Sequence, residues 1–274
     1  MSQKGRRPQP SKQVRQQAAQ AARRRRAQRQ RVLVSVVTSA ILVLGVSVFV
    51  AGGSGGKKVE TAANSSTVPS RTPVVLSPAE PGASISGDTT CPKADGSSER
   101  TTAFAKPPPM CINPSRAYSA EVRTTKGSFV IALDPKAAPK TVNNFVVLAR
   151  YRYFEGIPFH RIVPGFVVQG GDPKASGLGN PGYKIEDELP KVPYKIGSVA
   201  MANSGPNTNG SQFFIVTGEA GAGLPPQYSL FGEVTEGMDA VRQIEAVGTP
   251  PTATDPGGQP TEVVTILSVA IRET

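Results

Sequence analysis

The chain has 274 residues, with 31 Lys and Arg against 20 Asp and Glu, a formal charge of +11 and a single His. Eleven of the basic residues fall within residues 1–31, which carry no acid, so residues 32–274 balance at 20 against 20. The high isoelectric point therefore describes a tail. A basic nucleic-acid-binding face on a folded domain is excluded, because nothing after residue 31 supplies the clustered Lys and Arg it would need, and no nucleic-acid partner is expected.

In chain order the tail comes first, with Lys4, Arg6, Arg7, Lys12, Arg15, the run Arg23 to Arg26, Arg29 and Arg31. Its Gln-, Ala- and Arg-rich part, from Ser11 on, is suited to a helix on anionic lipid, at about 1 kcal/mol per basic residue near the surface. A solvated topology signal with no partner is the alternative. Residues 32–51 follow as VLVSVVTSAILVLGVSVFVA, a run of twenty with no charge. As a helix it would extend about 30 Å, the thickness of a bilayer's hydrocarbon core. The competing reading is a cleaved signal peptide, whose apolar region is shorter, roughly 7–15 residues. Length favours a retained, single-pass anchor. The basic residues precede the run and only Lys57 and Lys58 follow it closely. The positive-inside rule then holds the amino terminus in the cytoplasm and places everything from about residue 52 outside the cell membrane.

Residues 52–116 are rich in Gly, Ser and Pro and poor in large apolar residues, the composition of a disordered tether with an end-to-end distance of roughly 40–50 Å. The only cysteines, Cys91 and Cys111, lie within it. They read either as a disulfide or as two unpaired thiols, and an oxidising compartment favours the bridge. Closing such a loop would stabilise the chain by about 3 kcal/mol in the chain-entropy model. A zinc site is not expected, with one His and no CxxC pair.

Residues 117–274 are long enough to bury about two thirds of their unfolded surface. Ser119–Thr125 alternates, Lys126-Gly127 turns and Ser128–Leu133 returns, which predicts a hairpin. Pro139 opens a helix that carries Val142, Phe145, Val146, Ala149 and Tyr153 on one face. Strands are predicted near 159–163, 166–170, 197–201 and 211–216, a second helix over Gly237–Ala246 and a closing strand over Glu262–Arg272. The pattern supports a mostly β, antiparallel fold with two helices, in which closure into a barrel would remove the exposed edges. The acidic run Glu186-Asp187-Glu188 has no second ligand cluster and reads as a solvated turn.

Two blocks, FHRIVPGFVVQGGD at 159–172 and MANSGPNTNGSQFFI at 201–215, resemble the signature segments of the cyclophilins, a family of peptidyl-prolyl cis/trans isomerases. The resemblance covers essentially all of 117–274 and implies an eight-stranded antiparallel barrel capped by two helices, preceded here by the anchor and tether. It implies a catalytic role for Arg161 and Gln169, and proline binding by Phe166, Val167, Ala202, Asn203, Gln212, Phe214, Leu224 and Tyr228. Partners would be proline-containing polypeptides outside the membrane, acted on by a monomeric catalytic domain that needs no cofactor. The same groove could serve a binding module or chaperone, but that has less need of the Arg. Two positions depart from the family. A Trp common just before the pocket Leu is Gly223 here, and a His common in the pocket is Tyr228, so tight cyclosporin binding is not expected.

The chemistry fits those residue types. Rotation about a prolyl amide is slowed by resonance, with a barrier of about 20 kcal/mol, so a catalyst need only favour the twisted state. That requires an apolar slot for the ring, groups that hold the flanking backbone and a permanent donor. An Arg stays protonated at all working pH. His160 beside it reads as structural, since strand alternation turns it to the other face and the reaction moves no proton.

Overall fold

A computed structural model describes residues 72–274. The basic tail, the apolar run 32–51 and the first part of the tether lie outside the described residues. Ten strands and three helices make up the described part. Strands β1 (Ala83–Ile85) and β2 (Thr101–Phe104) form a small parallel pair. The other eight, β3 (Tyr118–Thr124), β4 (Gly127–Leu133), β5 (Arg161–Val163), β6 (Val167–Gly170), β7 (Ser198–Met201), β8 (Phe213–Val216), β9 (Leu230–Glu236) and β10 (Ile266–Glu273), build one antiparallel sheet. Its order is β10-β3-β4-β9-β7-β8-β6-β5.

The sheet curls into a half-barrel because one face of every strand is apolar. In β3 and β4 the alternate residues Tyr118, Ala120, Val122, Phe129, Ile131 and Leu133 are buried, as the period of two predicts. The two edge strands are brought close by hydrogen bonds from Phe159 N to Val264 O (2.9 Å) and from Ile266 N to Ile157 O (3.0 Å). That bridge covers what would otherwise be two open edges. The hairpin turn falls on Thr125 and Lys126, one residue earlier than predicted, since Thr124 pairs with Gly127 across it. Thr124 fixes that register by accepting from Lys126 N and donating to Gly127 O.

Helix α1 (Pro139–Arg150) packs against β10 and is buried from Thr141 to Arg150. Phe145 packs on Phe154, Phe213 and Phe231 with ring centroids 5.1 to 5.7 Å apart, the centre of the main core. Tyr153, predicted on the helix face, lies just beyond the helix end yet is fully buried, with its hydroxyl 2.9 Å from Ser211 Oγ. Helix α3 (Met238–Glu245) matches the second predicted helix, and a single-turn helix α2 (Glu219–Ala222) was not predicted.

Two expectations need correction. The stretch from residue 72 to 116 is not a tether. Phe104 is 3% exposed and packs edge-on against Tyr151 and Tyr183, Thr101 N donates to Tyr151 O, and Cys91 and Cys111 are joined in a disulfide with Cα atoms 5.4 Å apart. A few well-placed apolar residues and one cross-link hold a segment whose composition is that of a linker. Nor is the acidic run only a solvated turn. Glu188 reaches the start of α1, where its carboxylate accepts from Lys140 N (3.1 Å), Thr141 N (2.8 Å) and Thr141 Oγ1 (2.8 Å). The residue before the helix, Ala138, has no side chain that could do this, so the cap comes from a distant loop.

Glu188→Ala should therefore lower unfolding stability by about 1–2 kcal/mol, read as an earlier urea midpoint with the slope unchanged. An unaltered midpoint would show that water replaces the cap without cost.

Candidate active site

Strand β5 pairs with β6 so that Arg161 stands opposite Gln169. Alternation sends Ile162 into the main core and leaves Arg161 half-buried on the other side. The guanidinium carbon lies 5.4 Å from the centroid of the Phe166 ring, a cation–π contact that orients the fork. Burial pulls the Arg161 pKa below its ordinary value, and the neighbouring Tyr228 acts the other way.

Beside this pair lies a second apolar cluster, separate from the main core. Val167, Tyr194, Ala200, Phe214 and Val216 are buried in it, while Phe166, Ala202, Leu224 and Tyr228 pack against it half-exposed. Six of the predicted substrate-binding residues thus meet in one place. Tyr228 stands edge-on to Phe214 at 5.4 Å and 86°. Its backbone is fixed by Tyr194, whose hydroxyl donates to Tyr228 O (2.7 Å) and accepts from Tyr228 N (3.0 Å). Tyr194 was not singled out from sequence, since it sits between prolines and Lys in a stretch with no strand or helix period.

The polar half of the site is a chain of amides. Gln169 Nε2 donates to Gln212 Oε1 (3.0 Å), and Gln212 Nε2 donates to the carbonyls of Gly177 (3.0 Å) and Gly179 (2.8 Å). Both Nε2 hydrogens of Gln212 are thereby used, which fixes which way its amide points. A cavity of about 180 Å³ opens next to these groups, lined by Gln169, Ala202, Asn203, Gln212 and Lys184. Asn203 lines it, with its own amide committed to Gln227 O (3.0 Å) and Gly205 N (3.2 Å). Gly223 ends α2 and is exposed. Among the described residues no group of three His, Cys, Asp or Glu could hold a metal ion. Ser211 is buried and donates to Gly171 O (2.7 Å), a structural use.

His160 is placed before β5, with both ring nitrogens buried and neither given a hydrogen-bond partner of good geometry. Lost hydration holds its pKa below the ordinary 6.5; Asp172 and Gln212 oppose this and Arg161 adds to it. Burial thus favours the neutral ring.

The curled antiparallel sheet, with an apolar cluster beside an Arg and a fixed amide chain, is the architecture of a cyclophilin-type isomerase. The profile of the family described as "Cyclophilin type peptidyl-prolyl cis-trans isomerase/CLD" matches residues 119–271. The chain belongs to the cyclophilin family. Peptidyl-prolyl cis-trans isomerase A of Mycobacterium tuberculosis is 40% identical over 176 residues, 58% of this chain and 94% of that protein. Peptidyl-prolyl cis-trans isomerase B of Streptomyces anulatus is 40% identical over 174 residues, 56% of this chain and 95% of that protein. A cyclophilin from Cryptosporidium parvum, solved in the presence of the dipeptide Ala-Pro, superposes with a TM-score of 0.51 at 30% identity, covering 57% of this chain and 99% of that one. The chain is a peptidyl-prolyl cis/trans isomerase.

His160, half-buried with its ring nitrogens shielded from water, has a consequence for stability. With its folded pKa depressed, the unfolded chain takes up the proton first, so this group's contribution to stability is constant above about pH 6.5 and becomes unfavourable as pH drops below it. Urea unfolding from pH 8 to 5 should show that slope, and His160→Gln should flatten it. An equal slope in both proteins would place its origin elsewhere.

Proposed function

We propose that this isomerase is anchored in the cell membrane by the run at 32–51 and turns X–Pro bonds of exported proteins, with its catalytic domain extracytoplasmic. The observation that carries the chemical part is the Arg161 guanidinium beside Phe166, opposite Gln169 and at the edge of the apolar cluster. A proline ring seated against Phe166, Val167, Phe214 and Leu224 would bring its amide nitrogen to Arg161. As the bond twists, that nitrogen pyramidalises and its lone pair becomes available to a donor. The guanidinium meets it with a charge that needs no reorganisation, and Gln169 and Gln212 hold the flanking backbone. No bond is made or broken and no proton is transferred. The Ala-Pro in the experiment on the Cryptosporidium parvum relative supports a proline peptide as the substrate class. The membrane part rests on the apolar run and on the basic residues that precede it.

Arg161→Ala should lower kcat/KM on a proline peptide by on the order of 10²-fold, about 3 kcal/mol of transition-state stabilisation, with the fold retained. His160→Gln is the matched comparison and should cost far less. Near-normal turnover by a folded Arg161→Ala protein would remove the Arg from the mechanism.

For the anchor, the full chain expressed in a bacterium should stay in the membrane after carbonate washing, and protease supplied outside the cytoplasmic membrane should reach the domain. A soluble form beginning near Gly52 would identify the run as a signal peptide instead.

A further inference from the structure

The residues from 72 to 116 lie outside the family match at 119–271, yet they bind both ends of the loop that carries the acceptors for Gln212. Ala79 N donates to Pro173 O (2.9 Å) at the start of that loop, and Phe104 N donates to Pro181 O (2.8 Å) at its end. Between the two anchors are Gly177 and Gly179, whose carbonyls receive Gln212 Nε2. The loop has little freedom of its own. The buried Asp172 carboxylate accepts from the backbone N–H groups of Lys174, Ser176 and Gly177, and a Cβ at Gly179 would lie 1.8 Å from Asp172 Oδ1. At the exit Gly182 has φ +110°, and a Cβ there would fall 2.2 Å from Phe104 O. Loop and extension are in direct backbone contact.

The extension is itself held at several points. Phe104 is buried in the main core, Cys91 is joined to Cys111 around β2, and Asn143 of α1 accepts from Cys111 N (2.7 Å) while donating to Pro109 O (2.9 Å). A further contact reaches the other flank of the site. Val74 N donates to Pro260 O (2.9 Å), and Gly258 of that same loop accepts from Ile162 N (2.8 Å), next to Arg161.

We propose that the 72–116 extension is a clamp that positions Gln212, and through it Gln169, for isomerisation. A carboxamide can rotate about its last torsion, which is broad, so its direction is set only by its partners. Here those partners are two carbonyls on a loop whose ends the extension ties down. Releasing either tie lets the loop move, Gln212 loses its fixed direction, and the groove loses part of its preorganised backbone contact. The proposal rests on the placement of Gln169 and Gln212 in the substrate groove.

Two variants of the full chain test it. Ala79→Pro deletes the N–H that donates to Pro173, and the pair Cys91→Ser with Cys111→Ser removes the cross-link. Each should lower kcat/KM on a proline peptide by about 5- to 10-fold while the thermal transition remains cooperative. Hydrogen exchange at the Ser176 and Gly177 amides should quicken by about tenfold. In a Gln212→Ala background the same changes should cost less than about twofold, since the group they position is gone. Equal losses in both backgrounds would mean simple destabilisation and overturn the clamp. So would wild-type kcat/KM in both folded variants. If Gln212→Ala alone left turnover intact, the groove role of Gln212 would fall and the clamp with it, whereas a costly Gln212→Ala beside silent clamp variants would reject the clamp alone.

Discussion

The antiparallel pairing of β5 with β6 sets the frame for the whole site. It puts Arg161 across from Gln169 and, by alternation, puts Ile162 into the main core directly behind them. A slip of one residue would send the guanidinium into the aromatic core and Ile162 into the groove, at a cost of several kcal/mol for a desolvated charge. The site's geometry is therefore enforced by the same apolar contacts that hold the barrel. From β6 the frame passes to β8, where Gln169 pairs with Phe214, and so one sheet edge carries the Arg, the amide and the slot wall together.

A separation between two apolar clusters follows from this arrangement. The main core is built on fully buried rings such as Phe129, Phe145, Phe213 and Phe231, and close packing of that kind leaves no room for a ligand. The second cluster is completed by Phe166, Leu224 and Tyr228, all half-exposed, so its outer layer meets solvent. A proline ring is rigid and compact, and under the proposed function it would lose little entropy on settling against such a surface. Edge-on contact between Phe214 and Tyr228, with Tyr194 gripping the Tyr228 backbone, fixes one side of this surface.

Much of this was legible in the sequence, and the parts that were not have physical reasons. Hairpin β3–β4 shows a clean period because each strand has one face on the core, whereas β8, buried on both faces, reads as a continuous apolar run. Strand β9, LFGEVTE, has only three apolar residues and a Gly in its middle, so alternation gave no signal. The cap from Glu188 joins residues nearly fifty positions apart, which no local rule can see. The extension failed for a different reason. Average composition predicts disorder when few apolar residues are present, but Phe104 and Ile112 are buried in a core that the rest of the chain provides. Borrowed burial is invisible to a window that looks only at its own residues. Of the site, Arg161, Gln169, Phe166 and Phe214 came from the resemblance of two blocks, whereas Tyr194 and the Gly177 and Gly179 carbonyls depend on how loops fold back and carry no residue-type signature.

Charge plays a smaller part in the domain than the overall value suggests. Residues 32–274 are balanced, and several of the ion pairs are exposed, such as Lys106 with Asp88 and Lys140 with Glu186, so they contribute little each. Arg150 with Glu273 is the more buried exception and ties the last turn of α1 to β10 at 3.0 Å. Residues 72–274 carry 17 Lys and Arg against 19 Asp and Glu, and with so small a net charge to draw polypeptides in, substrate choice falls to shape and to backbone hydrogen bonding within the groove. That suits an enzyme whose substrates share one ring and one amide but have no common charge. It also makes the fixed direction of each groove amide matter more, because a neutral dipole attracts a peptide backbone only where it already points at it.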